Sequence, residues 1–142
     1  MDNFYDSAKR MHNSSQILHN NNEFHNSCYL AGYVVECYAK IIVGLSYGFT
    51  QEELAKEFSH DLKKLNKELQ YILSNSQYSA FIVDMKNDFV TILSGNLKWN
   101  PIKRYILASN NWNQSNSDNF QNEIQVAMQK LTQMELDGYN LI

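Results

Sequence analysis

Two residues of opposite charge lie one helical turn apart in the most apolar stretch of the chain. Glu36 and Lys40 occupy positions i and i+4 among valines, cysteines and isoleucines. A glutamate four residues before a lysine is the favourable order for an ion pair on one helix face. If that helix is buried, the two charges need each other, because an unpaired buried charge is costly. We predict a structural ion pair, with a binding role as the alternative.

Three further residues have side chains suited to binding or chemistry. His60 lies where the pattern predicts a helix start, and its simplest role is a local hydrogen bond there. Arg104 and Tyr105 follow the only proline, and the planar guanidinium of an arginine suits a phosphate. The alternative for Arg104 is an ion pair with Asp84 or Asp88, which we favour slightly.

One short motif suggests a metal site. Glu57 and His60 have the Glu-x-x-His spacing that supplies half of a di-iron ligand set in a helical bundle. That chemistry needs a second such motif and two more glutamates, and the sequence has no second motif. Ser59 is also expected to break the helix between the two residues. We therefore predict no metal site and no cofactor.

The elements that position these residues are predicted to be helices. The chain has 142 residues, one proline, five glycines and 44% hydrophobic residues. Few residues that interrupt helices favour long helices over many short strands. Apolar residues recur at helical spacing in 3–18, 23–45, 50–58, 61–73, 76–93 and from 120 onward. The sequence predicts one all-α domain over 1–142, an antiparallel up-and-down bundle of about five helices.

The second predicted helix is apolar on more than one face. Such a helix lies in the middle of a bundle or also forms a subunit interface. Its two cysteines, Cys28 and Cys37, are two and a half turns apart and face opposite sides. They are therefore expected to be buried thiols without a mutual disulfide.

The net charge is −3, which is unlike the strong positive field of a dedicated nucleic-acid-binding protein. Lys63, Lys64 and Lys67 are expected to form an ordinary solvated face, and a basic patch with Lys98, Lys103 and Arg104 is a weaker hypothesis. The N-terminus shows no signal peptide, and no segment reaches the length of a membrane span. The expected location is the cytoplasm, away from membranes.

The motifs in order resemble HEPN domains. They are Ala31-Gly32, Glu36 and Lys40 in one helix, then Ser59-His60-Asp61-Leu62, then Arg104-Tyr105. The resemblance covers about residues 7–105. It implies a helical bundle that is usually dimeric and belongs to a nucleotide- or RNA-linked, toxin–antitoxin-like system. It also implies a small nucleotidyltransferase as a possible partner.

The ribonuclease branch of that family carries an arginine followed four to six residues later by a histidine. Neither Arg10 nor Arg104 has a histidine at that spacing. We therefore predict a non-catalytic homodimeric binding or regulatory module without catalytic residues. Its nucleotide- or RNA-binding residues are predicted to be Glu36, Lys40, His60, Arg104 and Tyr105. One alternative is a degenerate ribonuclease using Glu36, His60 and Arg104. Another is a purely structural interaction protein whose cleft is filled by Trp99 and Tyr105.

Overall fold

A computed structural model of the chain describes residues 3–73, 77–93, 99–102 and 112–141. The described residues form helices and no strand, which confirms the all-α fold class. In chain order the elements are α1 (Phe4–Asn20), α2 (Phe24–Tyr47), α3 (Gln51–Phe58), α4 (Leu62–Ile72), a 3-10 turn (Ser79–Phe81), α5 (Met85–Asp88), α6 (Val90–Leu93) and α7 (Gln114–Leu136).

The described ranges thus contain seven α-helices where the sequence predicted about five, and one of the additional helices arises because the helix predicted over 76–93 is broken. A buried tyrosine of α2 explains the break. The Tyr38 hydroxyl donates to the carbonyl of Phe81 and accepts from the amide of Val83 at 3.1 Å. A side chain therefore satisfies the hydrogen-bonding groups of the backbone between the 3-10 turn and α5, where Ile82 has an extended conformation. The Asp84 carboxylate then caps the start of α5.

Helices α1 and α2 form an antiparallel hairpin. Asn22 turns the chain with a positive φ of 61°, so the asparagine run from Asn20 to Asn22 closes α1. Ser15 and Ser27 exchange hydrogen bonds near the turn. At the far end the Lys40 ammonium lies 5.3 Å from the centre of the Phe4 ring. These contacts fix the direction of α2 along α1.

Helix α2 is the centre of the core. Every residue from Val34 to Gly44 is buried by the chain itself, which accounts for apolar residues on several faces. Cys28 and Cys37 are both buried free thiols, as predicted. The prediction that no segment reaches membrane-spanning length is wrong for α2, which has 24 residues and a window of mean hydropathy 1.4. Of that window, 78% is buried inside the protein.

Local capping signals define α3 and α4. Gly48 ends α2 in the left-handed conformation, and Thr50 begins α3 with a full capping box. Ser59 ends α3 with a φ of 46°, and Asp61 caps α4 by accepting from a backbone amide. Since α3 runs back along the bundle, α4 lies beside α2 in the same direction.

The long last helix closes the bundle against α1 and α2. His19 Nδ1 lies 2.7 Å from the Ser117 hydroxyl, and Gln121 bonds to Ser15 and Ser27 at 2.8 and 3.0 Å. These polar bonds join three helices inside an apolar core, where each unsatisfied polar group would be costly. Helix α7 is therefore antiparallel to α1.

Candidate functional site

The ion pair between Glu36 and Lys40 is present, as the sequence predicted. The Lys40 ammonium lies 2.8 Å from Glu36 Oε1, and the two side chains are 4% and 5% exposed. Both groups are thus removed from water, where a pair is retained only if further hydrogen bonds satisfy the carboxylate. Lys40 can affect a surface ligand only through Glu36, because its own ammonium is buried.

The further partner of the carboxylate is His60. Its Nδ1 atom lies 3.0 Å from Oε2 and 3.1 Å from Oε1 of Glu36. The sequence predicted a local hydrogen bond at a helix start, and that prediction is wrong, because the partner lies 24 residues away on α2. Ser59 has a positive φ of 46°, and this turn in the backbone directs the His60 side chain toward α2. An ion pair of 2.7 Å between Glu57 and Lys64 spans the same turn.

This arrangement gives the imidazole a defined chemistry. A carboxylate beside Nδ1 favours the tautomer that carries its proton there, which leaves the lone pair on Nε2. The His60 side chain is 52% exposed, whereas the Glu36 side chain is 5% exposed. A buried carboxylate therefore holds a histidine at the surface. Neutral, this histidine accepts a proton at Nε2; protonated, it donates to a phosphate oxygen.

A tryptophan fills the notch that Gly32, which has no side chain, leaves in the surface of α2. A Cβ atom on this glycine would lie 2.1 Å from the Trp99 ring, so the indole rests directly on the helix backbone. Trp99 is 2% exposed, and its Nε1 donates to the carbonyl of Tyr29 at 2.8 Å. Tyr33 contacts the rings of both Trp99 and His60, at 4.8 and 5.6 Å between centroids. The notch is occupied by this chain's own side chain.

A continuous groove begins at His60 and follows α4. Its first part, about 440 Å³, lies between the His60 turn and the segment from Trp99 to Ile102. Its second part, about 610 Å³, runs between α4 and the start of α5. Asp61 and Lys63 line both parts, so one surface connects them. We call the second part the lysine groove; its basic residues are Lys63, Lys64, Lys67 and Lys86.

The charges of the lysine groove are unequally neutralised. Within the described residues, no carboxylate lies within 4.0 Å of the ammonium of Lys63, Lys67 or Lys86. Asp61 and Asp84 also line the groove, where they cap α4 and α5, so its lining carries four lysines against two aspartates. Lysines predicted to be an ordinary solvated face thus line a concave, positively charged surface. The sequence did not indicate that Lys86 belongs to this groove, because only the tertiary fold brings α5 beside α4.

The sequence-predicted site is only partly within the described residues. Glu36, Lys40 and His60 lie together, while Arg104 and Tyr105 lie outside the described ranges, as do Lys98 and Lys103. The ion pair of Arg104 with Asp84 or Asp88 stays a prediction. Among the residues that the structure describes, no three metal-ligating side chains form a cluster. The Glu57 and His60 side chains have different partners, Lys64 and Glu36.

Comparison with protein-family models, with curated proteins and with solved structures gives no match for this chain. The resemblance to HEPN domains thus rests on the sequence motifs alone. The site must be interpreted from its own geometry.

Proposed function

We propose that this chain is a HEPN-like binding module whose groove beside α4 binds the phosphates of a nucleotide or RNA. The supporting observation is the lysine groove, in which Lys63, Lys67 and Lys86 have no carboxylate partner among the described residues. Phosphate contacts by lysine supply most sequence-independent affinity for nucleic acids. His60, at one end of the groove, adds a donor held in place by Glu36.

Buried groups of the site act as support in this proposal. The Glu36 carboxylate cannot meet the ligand because it is buried, and Lys40 neutralises part of its charge. A buried carboxylate without that neutralisation would repel a phosphate at the His60 end of the groove. Of the predicted binding residues that the structure describes, His60 lies at the surface, and Glu36 and Lys40 lie behind it.

The binding proposal is tested by removing the groove's charge. We expect the triple change Lys63→Gln, Lys67→Gln, Lys86→Gln to weaken binding of a fluorescent eight-nucleotide RNA in an anisotropy titration. The slope of log affinity against log salt should fall by about two, since each single-strand phosphate contact contributes about 0.7. The matched control neutralises Lys9, Lys56 and Lys130, which line none of the grooves described here. Equal affinity loss in both triples would contradict the proposal.

A second candidate function is RNA cleavage by a degenerate ribonuclease, favoured by the Glu36–His60 dyad. In that reaction, Nε2 removes the proton of a ribose 2′-hydroxyl, whose oxygen attacks the adjacent phosphorus. The 5′-oxygen is displaced and takes a proton from water. Arg104, outside the described residues, would neutralise charge on the phosphate.

The two candidates are separated by an RNA cleavage assay at low salt with a chelator. The binding proposal predicts intact RNA at protein concentrations that saturate binding. The second candidate predicts cleavage that is lost in His60→Gln and in Arg104→Ala. His60 is half exposed, and a glutamine amide can still donate a hydrogen bond to the Glu36 carboxylate, so the buried charge keeps a partner in His60→Gln. Cleavage that persists in both variants would point to a contaminating nuclease and remove the second candidate.

We further propose that the module forms a homodimer and acts beside a small nucleotidyltransferase in a toxin–antitoxin-like system. These proposals rest on the HEPN resemblance. Co-purification of the chain with an adjacent-gene nucleotidyltransferase is the direct test, and recovery of the two proteins in separate peaks would contradict the pairing.

A further inference from the structure

We propose that the ligand is a single-stranded polynucleotide that crosses the outer face of α4 and stacks an unpaired base on Tyr71. This inference rests on the proposed function, because it uses the lysine groove for the phosphates. It adds a second kind of contact, at a place that neither Glu36 nor His60 reaches.

The outer face of α4 carries a stripe of two lysines and a tyrosine. Lys63, Lys67 and Tyr71 are at positions i, i+4 and i+8, so they lie on one side of the helix. The opposite side is buried in the core through its leucines and isoleucine. At 1.5 Å per residue the stripe is about 12 Å long. With about 3.4 Å per nucleotide along a stacked strand, that length spans about three or four nucleotides.

Tyr71 is displayed as a stacking surface. It is 76% exposed, the highest value among the large hydrophobic and aromatic residues that the structure describes. Within the described part of the chain it has no ring contact and no hydrogen bond. Other tyrosines are held in place: Tyr78 contacts the ring of Tyr139 edge to face, and Tyr47 donates to Glu68 at 2.9 Å. An aromatic ring beside lysines stacks bases with little dependence on sequence.

A groove beside Tyr71 offers hydrogen bonds to a base edge. It has a volume of about 370 Å³ and lies between the end of α2 and the start of the 77–93 segment, with Tyr47 and Tyr71 on its rim. Ser46 also lines the groove, but its hydroxyl oxygen is buried and does not face a ligand there. Gln77 lines the same groove with an exposed side chain. Apolar ring faces with hydrogen-bonding groups between them suit a nucleobase.

The position of this second groove favours a strand over a mononucleotide or a duplex. The lysine groove and the tyrosine groove lie on opposite flanks of α4, with the Lys63–Tyr71 stripe between them. A strand carries a phosphate at every nucleotide along the stripe, whereas a mononucleotide carries its phosphates at one end only. In a duplex the base faces are stacked on each other, so no base is free to stack on a tyrosine. An unpaired strand satisfies both grooves at once.

The test compares fluorescent octa-adenylate RNA, a blunt-ended RNA duplex without a loop and a labelled ATP in anisotropy titrations. We expect octa-adenylate to bind more tightly than the other two. Tyr71→Ala should weaken octa-adenylate binding about 10-fold or more, as loss of one stacked base does. Its salt slope should stay unchanged, because no phosphate contact is removed. Tyr71→Phe should keep the affinity, and Leu136→Ala, an equally exposed apolar residue on α7, is the matched control.

The possible outcomes distinguish failure of base stacking on Tyr71 from failure of the proposed phosphate binding. If octa-adenylate binds through the lysines but Tyr71→Ala has no effect, stacking is overturned and phosphate binding stands. If duplex or ATP binds as tightly as octa-adenylate, the single-strand inference is overturned. If no probe binds, both proposals fail together. A loss in Tyr71→Ala with an unchanged salt slope and full retention in Tyr71→Phe supports the inference.

Discussion

At the scale of single residues, the Glu36 carboxylate links a buried lysine to a histidine at the surface. One of its oxygens meets a buried ammonium, and the same carboxylate receives the imidazole of a half-exposed histidine. Removing one partner from such a group leaves an uncompensated charge in the interior, whereas removing both charges together is less costly. The stability of this region therefore depends on the pairing and not on the presence of charge.

We expect Lys40→Met to lower the free energy of unfolding by about 3–5 kcal/mol, because Glu36 loses its buried partner. The double variant Lys40→Met, Glu36→Gln should recover part of that loss, since no carboxylate remains. The measurement is the urea midpoint at neutral pH for wild type, both single variants and the double variant. A double variant as unstable as the sum of its singles would show that the two side chains are not coupled.

His12 makes folding sensitive to pH. Burial lowers its pKa below the usual 6.5, although a hydrogen bond with Gln125 acts in the opposite direction. As pH falls through 6.5, the unfolded chain takes up a proton that the folded protein resists, so folding becomes less favourable. We expect Tm to fall from about pH 7.5 to about pH 5.5, less steeply in His12→Gln. Identical pH slopes for the two proteins would contradict this assignment.

The sequence could predict the contacts that are local along the chain. Thr50 with Glu53, the ion pair of Glu36 with Lys40, and the stop at Gly48 all depend on neighbours within a few residues. The bond from His60 to Glu36 joins residues 24 apart and has no pattern in the sequence. The Glu36–Lys40 ion pair could therefore be predicted from the sequence, whereas the contact of His60 with Glu36 depends on the tertiary fold.

At the scale of elements, α2 sets the spacing of its neighbours through small residues. Gly32 admits the indole of Trp99 to the helix backbone, and Gly44 lies against the tip of Leu54. The two glycines share one helix, yet they face different neighbours. One meets a rigid aromatic ring, and the other meets the end of a flexible side chain.

We expect Gly32→Ala to destabilise the protein by about 1–3 kcal/mol, because the ring must move and the packing has no room. Gly44→Ala is the matched control in the same helix, where Leu54 can rotate away and alanine favours helix. Thermal unfolding of the two variants provides the comparison. A loss in Gly44→Ala as large as in Gly32→Ala would mean that the indole does not determine the cost.

The broken helix over 76–93 shows where periodicity misleads. Its apolar residues are spaced for a helix, and several of them, including Met85, Phe89 and Ile92, are buried. The hydroxyl of Tyr38 nevertheless takes the backbone bonds that a continuous helix would use. Glu123 of α7 then accepts from two amides of α6, at 2.8 and 3.0 Å. These competing partners come from distant helices, so no window of sequence contains them.

At the scale of the whole molecule, the burial of α2 within one chain bears on the expected homodimer. An apolar helix that needed a second subunit would leave a face uncovered, but Val34–Gly44 is covered by its own chain. We therefore expect the dimer to be a docking of folded subunits. Light scattering should show a mass near twice 16.6 kDa at high concentration.

The same reasoning predicts that the fold survives dilution. Far-ultraviolet circular dichroism should be unchanged across the concentration range in which the dimer dissociates. Loss of helical signal together with loss of mass would show that the subunits fold only in the dimer. A 16.6 kDa species at every concentration would instead remove the homodimer itself.

The two tryptophans give the molecule separate optical reporters. Trp99 packs against Gly32 at the end of the groove. Trp112 lies elsewhere, just before α7, and contacts the rings of His25 and Phe120. Both indoles are almost fully buried, so each emits from an apolar environment. A Trp112→Phe protein would carry one fluorophore, joined to His60 through Tyr33. The colour and intensity of its emission would then record, without any attached dye, what happens at the entrance to the groove.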